Sequence, residues 1–93
     1  METLTMNNGV VLENSNAYES GGWLFVYIKS GVGMKEVFDL FIDPENTIKI
    51  TRTAPGLETE FDGYNFLISV KYENEGFITA SLIKKDGAEN GEN

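Results

Sequence analysis

The stretch Trp23-Leu24-Phe25-Val26-Tyr27-Ile28 decides the fold. Three aromatics alternate with three aliphatics, so an extended chain sends Trp23, Phe25 and Tyr27 to one side and Leu24, Val26 and Ile28 to the other. A run that is apolar on both faces suits a strand covered on both sides, which places this one at the centre of a sheet. Outward from it, Gly and Asn punctuate the chain into short alternating segments, the spacing of hairpins. Upstream, a three-residue loop Asn7-Asn8-Gly9 sets Met6 opposite Val10 and Leu4 opposite Leu12, with Gly9 in the left-handed position. A two-residue loop there would set Leu4 against Glu13 and mix the faces.

Downstream, Met34, Val37, Phe38, Phe41 and Ile42 share one helical face, and Pro44 bars helical geometry at Asp43, so a helix is expected over residues 34–42. Ile48 to Thr53 is alternating and β-branched, and resumes the sheet. Ala54-Pro55-Gly56 is a turn. Asp62-Gly63 reads as a two-residue hairpin that sets Phe61 against Tyr64 and Thr59 against Phe66. The last hairpin, with the loop Asn74-Glu75-Gly76, pairs Tyr72 with Ile78, Val70 with Ala80 and Ile68 with Leu82. These readings assemble a β-rich α+β domain over residues 1–85: a single antiparallel sheet of about six strands with one helix laid over it. Residues 86–93 hold no large apolar side chain and are expected to be a disordered acidic tail.

Composition narrows the chemistry. Among 93 residues there is no Cys and no His, which removes disulfides, thiolate metal sites, cysteine nucleophiles, the usual general base and the commonest metal ligand. Fifteen acidic against seven basic residues leave a net charge of −8, which opposes direct binding to nucleic acid or to anionic membranes. No apolar run approaches the roughly 18 residues of a membrane span, and Met1-Glu2-Thr3 does not begin a signal peptide, so a cytoplasmic protein is expected.

The remaining constellations each have a plain structural explanation. Glu36, Asp39 and Asp43 line one side of the expected helix as its solvated face. Asp43-Pro44-Glu45-Asn46-Thr47 lacks the spacing of a calcium loop. Gly31 and Gly33 before Lys35 match neither phosphate-binding glycine pattern and suit a strand-to-helix connection. No catalytic, cofactor-binding or metal residue is assigned. The candidates left are for partner binding. Tyr18 and Trp23, beside a Gly-rich stretch, would anchor a protein if exposed. Glu58, Glu60, Glu73 and Glu75, with Asp62, form two acidic patches near turns at opposite ends of one expected strand.

Three stretches, Asn8-Gly9-Val10-Val11-Leu12, Leu24-Phe25-Val26-Tyr27-Ile28 and Glu36 to Ile48 with its Phe41-Ile42-Asp43-Pro44-Glu45-Asn46 centre, followed by Gly63-Tyr64, carry a family likeness. In this order they resemble short proteins encoded by phages and prophages of Gram-positive gut bacteria. Genes of that family lie in or near the tail and late-gene region, and no catalytic role is assigned to it. The resemblance implies a non-enzymatic accessory or virion-associated protein, in the host cytoplasm or in the particle, that binds a protein partner or itself. The acidic balance also suits a second expectation, an inhibitor that blocks a host defence nuclease or another nucleic-acid-binding protein.

Overall fold

Strand alternation and glycine-bearing turns produce eight strands and two short helices in the computed structural model, which describes residues 2–29, 31–73 and 76–84. The order is β1 (Thr3–Thr5), β2 (Val11–Glu13), β3 (Ser15–Ser20), β4 (Trp23–Ile28), α1 (Met34–Ile42), α2 (Pro44–Thr47), β5 (Lys49–Ala54), β6 (Leu57–Asp62), β7 (Phe66–Tyr72) and β8 (Ile78–Ile83). They form two antiparallel four-stranded sheets, β2-β1-β5-β6 and β3-β4-β8-β7, not the single sheet expected. Both sheets turn one face to a shared core. Leu4, Leu12, Ile50 and Phe61 come from the first, Leu24, Val26, Ile28 and Leu82 from the second, and Val37 and Phe41 from α1.

Two short connections carry the chain between the sheets. Asn14 alone separates β2 from β3, in the left-handed region at φ 55°, and it redirects the backbone so that β3 begins in the second sheet. Ser15–Ser20 is a full strand paired along its length with β4, where the sequence reading placed none. The second crossing is at residues 63–65, where Asp62-Gly63 was expected to close a hairpin. Instead Phe61 pairs with Ile50, and the Gly63 amide donates to the Ile48 carbonyl (2.8 Å), extending the β5–β6 ladder. The hairpin partner of β6 is already supplied by Pro55-Gly56, whose Gly56 at φ 75° meets the left-handed requirement of a type II turn. The segment after Gly63 is then free to pair with β8, so Phe61 and Tyr64 reach the core without facing each other as a pair.

Other expectations hold. Leu4 pairs with Leu12, the Met6 amide donates to the Val10 carbonyl (2.8 Å), and Gly9 sits at φ 93°. In the last hairpin Tyr72 faces Ile78 and Val70 faces Ala80, with Gly76 at φ 72°; Asn74 and Glu75 lie outside the described residues, as does the tail 86–93. One register differs: Leu67, not Ile68, pairs with Leu82, because Ile68 is the extra residue of a β-bulge. β7 is an edge strand, and a bulge there disrupts the ladder that another chain would extend.

Helix α1 spans the expected residues. It ends at Asp43, which is extended before Pro44, and Pro44 then opens α2, a single turn capped by the Asp43 side chain accepting from the Glu45 amide (3.1 Å). The Asn46 side chain, 5% exposed, ties three segments together. Its amide nitrogen donates to the Leu40 carbonyl (3.0 Å), and its oxygen accepts from the Asn8 amide (2.9 Å). Arg52 ties the sheets together, donating from β5 to the Ala17 carbonyl of β3 (2.8 Å) and to the Thr59 hydroxyl of β6 (3.3 Å). Among the described residues no helix is long and apolar enough to cross a membrane.

Candidate partner-binding surface

β4 lies between β3 and β8, the central place its composition demanded, but only one of its faces is covered. Leu24, Val26 and Ile28 are at most 1% exposed, against the first sheet and α1. Phe25 and Tyr27 are half-buried and Trp23 is 36% exposed, because no second layer of the described residues lies over the outer face. The rings cover one another instead.

The antiparallel register places Tyr18 of β3 directly across from Phe25, with ring centroids 5.4 Å apart and the planes tilted at 35°. Trp23 stacks on Phe25 (5.9 Å, 4°), Tyr18 on Tyr27 (5.7 Å, 11°) and Tyr27 on Phe77 (5.5 Å, 9°). The result is an unbroken aromatic row across the outer face. Such offset pairs contribute about 0.5–1.5 kcal/mol each beyond their buried area, so the row is held in place without a covering layer. The Tyr18 and Tyr27 hydroxyls are hydrogen bonded at 3.0 Å. That bond, then burial, raises the Tyr27 pKa above the ordinary tyrosine value, so the Tyr27 hydroxyl stays neutral at physiological pH.

Beside the row, Phe25 and Tyr27 meet Ser69, Lys71, Glu73 and Ser81 around a shallow depression of about 250 Å³. The Thr79 hydroxyl donates to the Glu73 carboxylate across it (3.3 Å). The surface thus combines rigid amphipathic rings with a polar border, the composition that lets one face bury apolar area while satisfying hydrogen bonds at its rim.

The sequence candidates are divided by the fold. Tyr18 (42% exposed) and Trp23 come together on this face. Glu73 sits at the end of β7 beside it, whereas Glu58 and Glu60 lie with Asp62 on β6, the free edge of the other sheet, and Glu75 lies outside the described residues. On β6 the three carboxylates alternate with Thr59 and Phe61, so they project from one side about 7 Å apart. Glu60 is paired with Lys49 at 3.4 Å.

Phe25 and Tyr27, which a strand covered on both sides would bury, complete the aromatic row together with Phe77, a residue the sequence alone does not single out. Their period-2 alternation already set Phe25 and Tyr27 beside Trp23, but the missing signal was β3, without which Tyr18 had no partner strand. The glycine-bearing loop before α1 is a helix start: Glu36 folds back so that its carboxylate accepts from the Gly33 amide (2.6 Å), and a Cβ on Gly33 would meet that oxygen at 2.7 Å. A carboxylate therefore already occupies the position an anion would take.

In comparisons with known proteins, no family model, curated protein or solved structure matches this chain.

Proposed function

We propose that this chain is a small non-enzymatic interaction protein that binds a protein partner, or a second copy of itself, through the outer face of β3-β4-β8-β7. The observation that carries this reading is the aromatic row Trp23, Phe25, Tyr18, Tyr27 and Phe77 on a sheet face that no other described element covers. Rigid aromatic side chains give much contact area at low entropic cost, and they are the residues that most often anchor interfaces. The family resemblance supports placing such a module among phage accessory or virion-associated proteins. The test compares tagged wild-type protein with a Tyr18→Ser/Trp23→Ser variant, by capture from a lysate of the host at low and high salt and by sedimentation over a range of concentrations. The reading expects a partner or dimer that survives high salt with wild-type protein and is lost with the variant. A monomer whose captured proteins are the same with both chains overturns it.

A second reading rests on β6. Glu58, Glu60 and Asp62 present a row of carboxylates on a free edge, and a row of like charge can occupy the basic groove of a nucleic-acid-binding protein. Binding of that kind weakens steeply as salt screens exposed charge, and it is lost in a Glu58→Gln/Glu60→Gln variant with the aromatic face intact. Capture indifferent to salt excludes it.

A further inference from the structure

A second surface shares no residue with the aromatic face. Between the β1–β2 hairpin and α1 runs an open groove of about 490 Å³, walled by Val10, Val11, Leu12, Val32 and Leu40. Val10 and Val11 are 38% and 51% exposed there, although they adjoin the fully buried Leu12. The groove has rigid walls. Asn46 bonds the hairpin through the Asn8 amide and the helix through the Leu40 carbonyl, while the Asn7 side chain donates to the Glu45 carbonyl (3.0 Å).

Its rim is acidic. Glu36, Asp39 and Asp43, spaced three and four along the helical turn, all line it. Each uses one oxygen internally: Glu36 Oε1 on the Gly33 amide, Asp39 Oδ2 on Lys35, and Asp43 Oδ1 on the Glu45 amide. Among the described residues, the second oxygen of each has no partner, and Lys35, which pairs with Asp39 at 3.0 Å, does so on the solvent side with its side chain 87% exposed. A smaller adjoining recess adds Glu45.

From this pairing of apolar wall and carboxylate rim we infer that the groove binds a basic amphipathic segment of a partner protein, its aliphatic side chains against Val10, Val11, Val32 and Leu40 and its lysine or arginine heads at Glu36, Asp39 and Asp43. An anionic ligand meets three negative charges, and a purely apolar one desolvates them without compensation. A bare metal ion does not fit either, since among the described residues no three carboxylates converge closely enough to hold one. The acidic rim runs from residue 36 to residue 43 of the chain, about 10 Å of helical rise, which matches a series of three cationic side chains about one turn apart on a helix. This inference stands whether or not the aromatic face proves to be an interface.

The test titrates isotope-labelled full-length protein with the synthetic peptide acetyl-Lys-Leu-Leu-Lys-Leu-Leu-Lys-amide, followed by amide chemical shifts. A matched peptide with Glu in place of Lys serves as comparison. The expected result is saturable shifts confined to residues around Val10–Leu12, Val32 and Glu36–Asp43 with the basic peptide and none with the acidic one. Val11→Lys places a like charge on the wall at a half-exposed site and is expected to weaken binding at least about tenfold. Leu57→Lys changes the net charge equally at a 54% exposed position of β6 and is expected to leave the affinity unchanged. Asp39→Asn, which removes only an exposed ion pair, repeats the test should Val11→Lys fail to fold. Shifts spread over the whole surface, equal weakening by the two lysine variants, binding of the acidic peptide, or no binding at millimolar peptide each overturn the proposal.

Discussion

Tyr64 shows how a single side chain reports on the assembled fold. It is 3% exposed, its hydroxyl donates to a Glu19 carboxylate oxygen (2.8 Å), and the Lys84 ammonium lies 5.0 Å from its ring centroid. Burial, reinforced by the carboxylate, pushes its pKa up to about 12. Because the folded state holds the phenolic proton more tightly than the unfolded chain, this contribution to stability is complete below pH 10 and is lost as pH rises toward 12. Denaturant unfolding of wild-type and Tyr64→Phe proteins across pH 8–12 checks it. The variant is expected to lose about 1 kcal/mol near neutrality, since the exposed Glu19 carboxylate recovers water, and to lack the part of the alkaline decline due to Tyr64. Another residue makes the opposite compromise: Arg52 bridges β5 to β3 and β6 with its terminal nitrogens and stacks 5.8 Å from the Phe61 ring centroid, but its Nε is buried without a hydrogen-bond partner among the described residues. Nothing local to either residue announces these roles, which depend on strands 35 to 45 residues apart in sequence.

At the scale of elements, the two short crossings between the sheets, with the longer one through α1 and α2, set the architecture. Asn14 takes a left-handed conformation that L-residues other than Asn, Asp and Gly rarely adopt, because its side chain tolerates it at low cost. Asn14→Gly is expected to fold with unchanged or slightly altered stability, whereas Asn14→Val is expected to cost about 1–3 kcal/mol, since a β-branched residue is strained at positive φ. Thermal and urea unfolding of the two variants measure the difference; equal stability would show that the crossing does not depend on this backbone geometry. The helices follow more local rules. Asp43 with Pro44 ends α1, so the limits of that helix were readable from a few adjacent residues, whereas α2, where only a turn was expected, adds a second helix capped by Asp43. β3 was not readable in this way, because Ser15–Ser20 is mostly polar and alternates weakly, and it becomes a strand by pairing with the strongly apolar β4.

For the whole molecule, charge is the dominant global property. A net charge of −8 on a chain of this size repels itself, so added salt is expected to raise the thermal midpoint by a few degrees between low ionic strength and about 0.3 M NaCl, most steeply at the low end. Calorimetry at constant pH checks this, and a midpoint that falls with NaCl would show that attractive pairs outweigh repulsion. The same charge sorts the exposed edges. Antiparallel pairing of two β6 strands would bring Glu58, Glu60 and Asp62 of two copies together, which disfavours association there, and the bulge at Ile68 interrupts β7. Among the described residues, the aromatic outer face carries no such row of like charges.

By itself the sequence determined whatever depends on neighbours along the chain: the helix over Met34–Ile42, the Asn7–Gly9 loop and its register, the left-handed Gly76, the central place of β4, and the exclusion of cysteine and histidine chemistry. Local hydrogen bonds, side-chain periodicity and turn geometry act over a few residues, so they are written in short stretches. Only the tertiary structure decided that the strands divide into two sheets, that Asp62-Gly63 crosses between them, and that Trp23, Phe25 and Tyr27 face outward while Leu24, Val26 and Ile28 face in. Both sides of β4 are apolar enough to be buried. Which one is covered is settled by where the first sheet and α1 come to lie, a long-range choice that no segment makes alone.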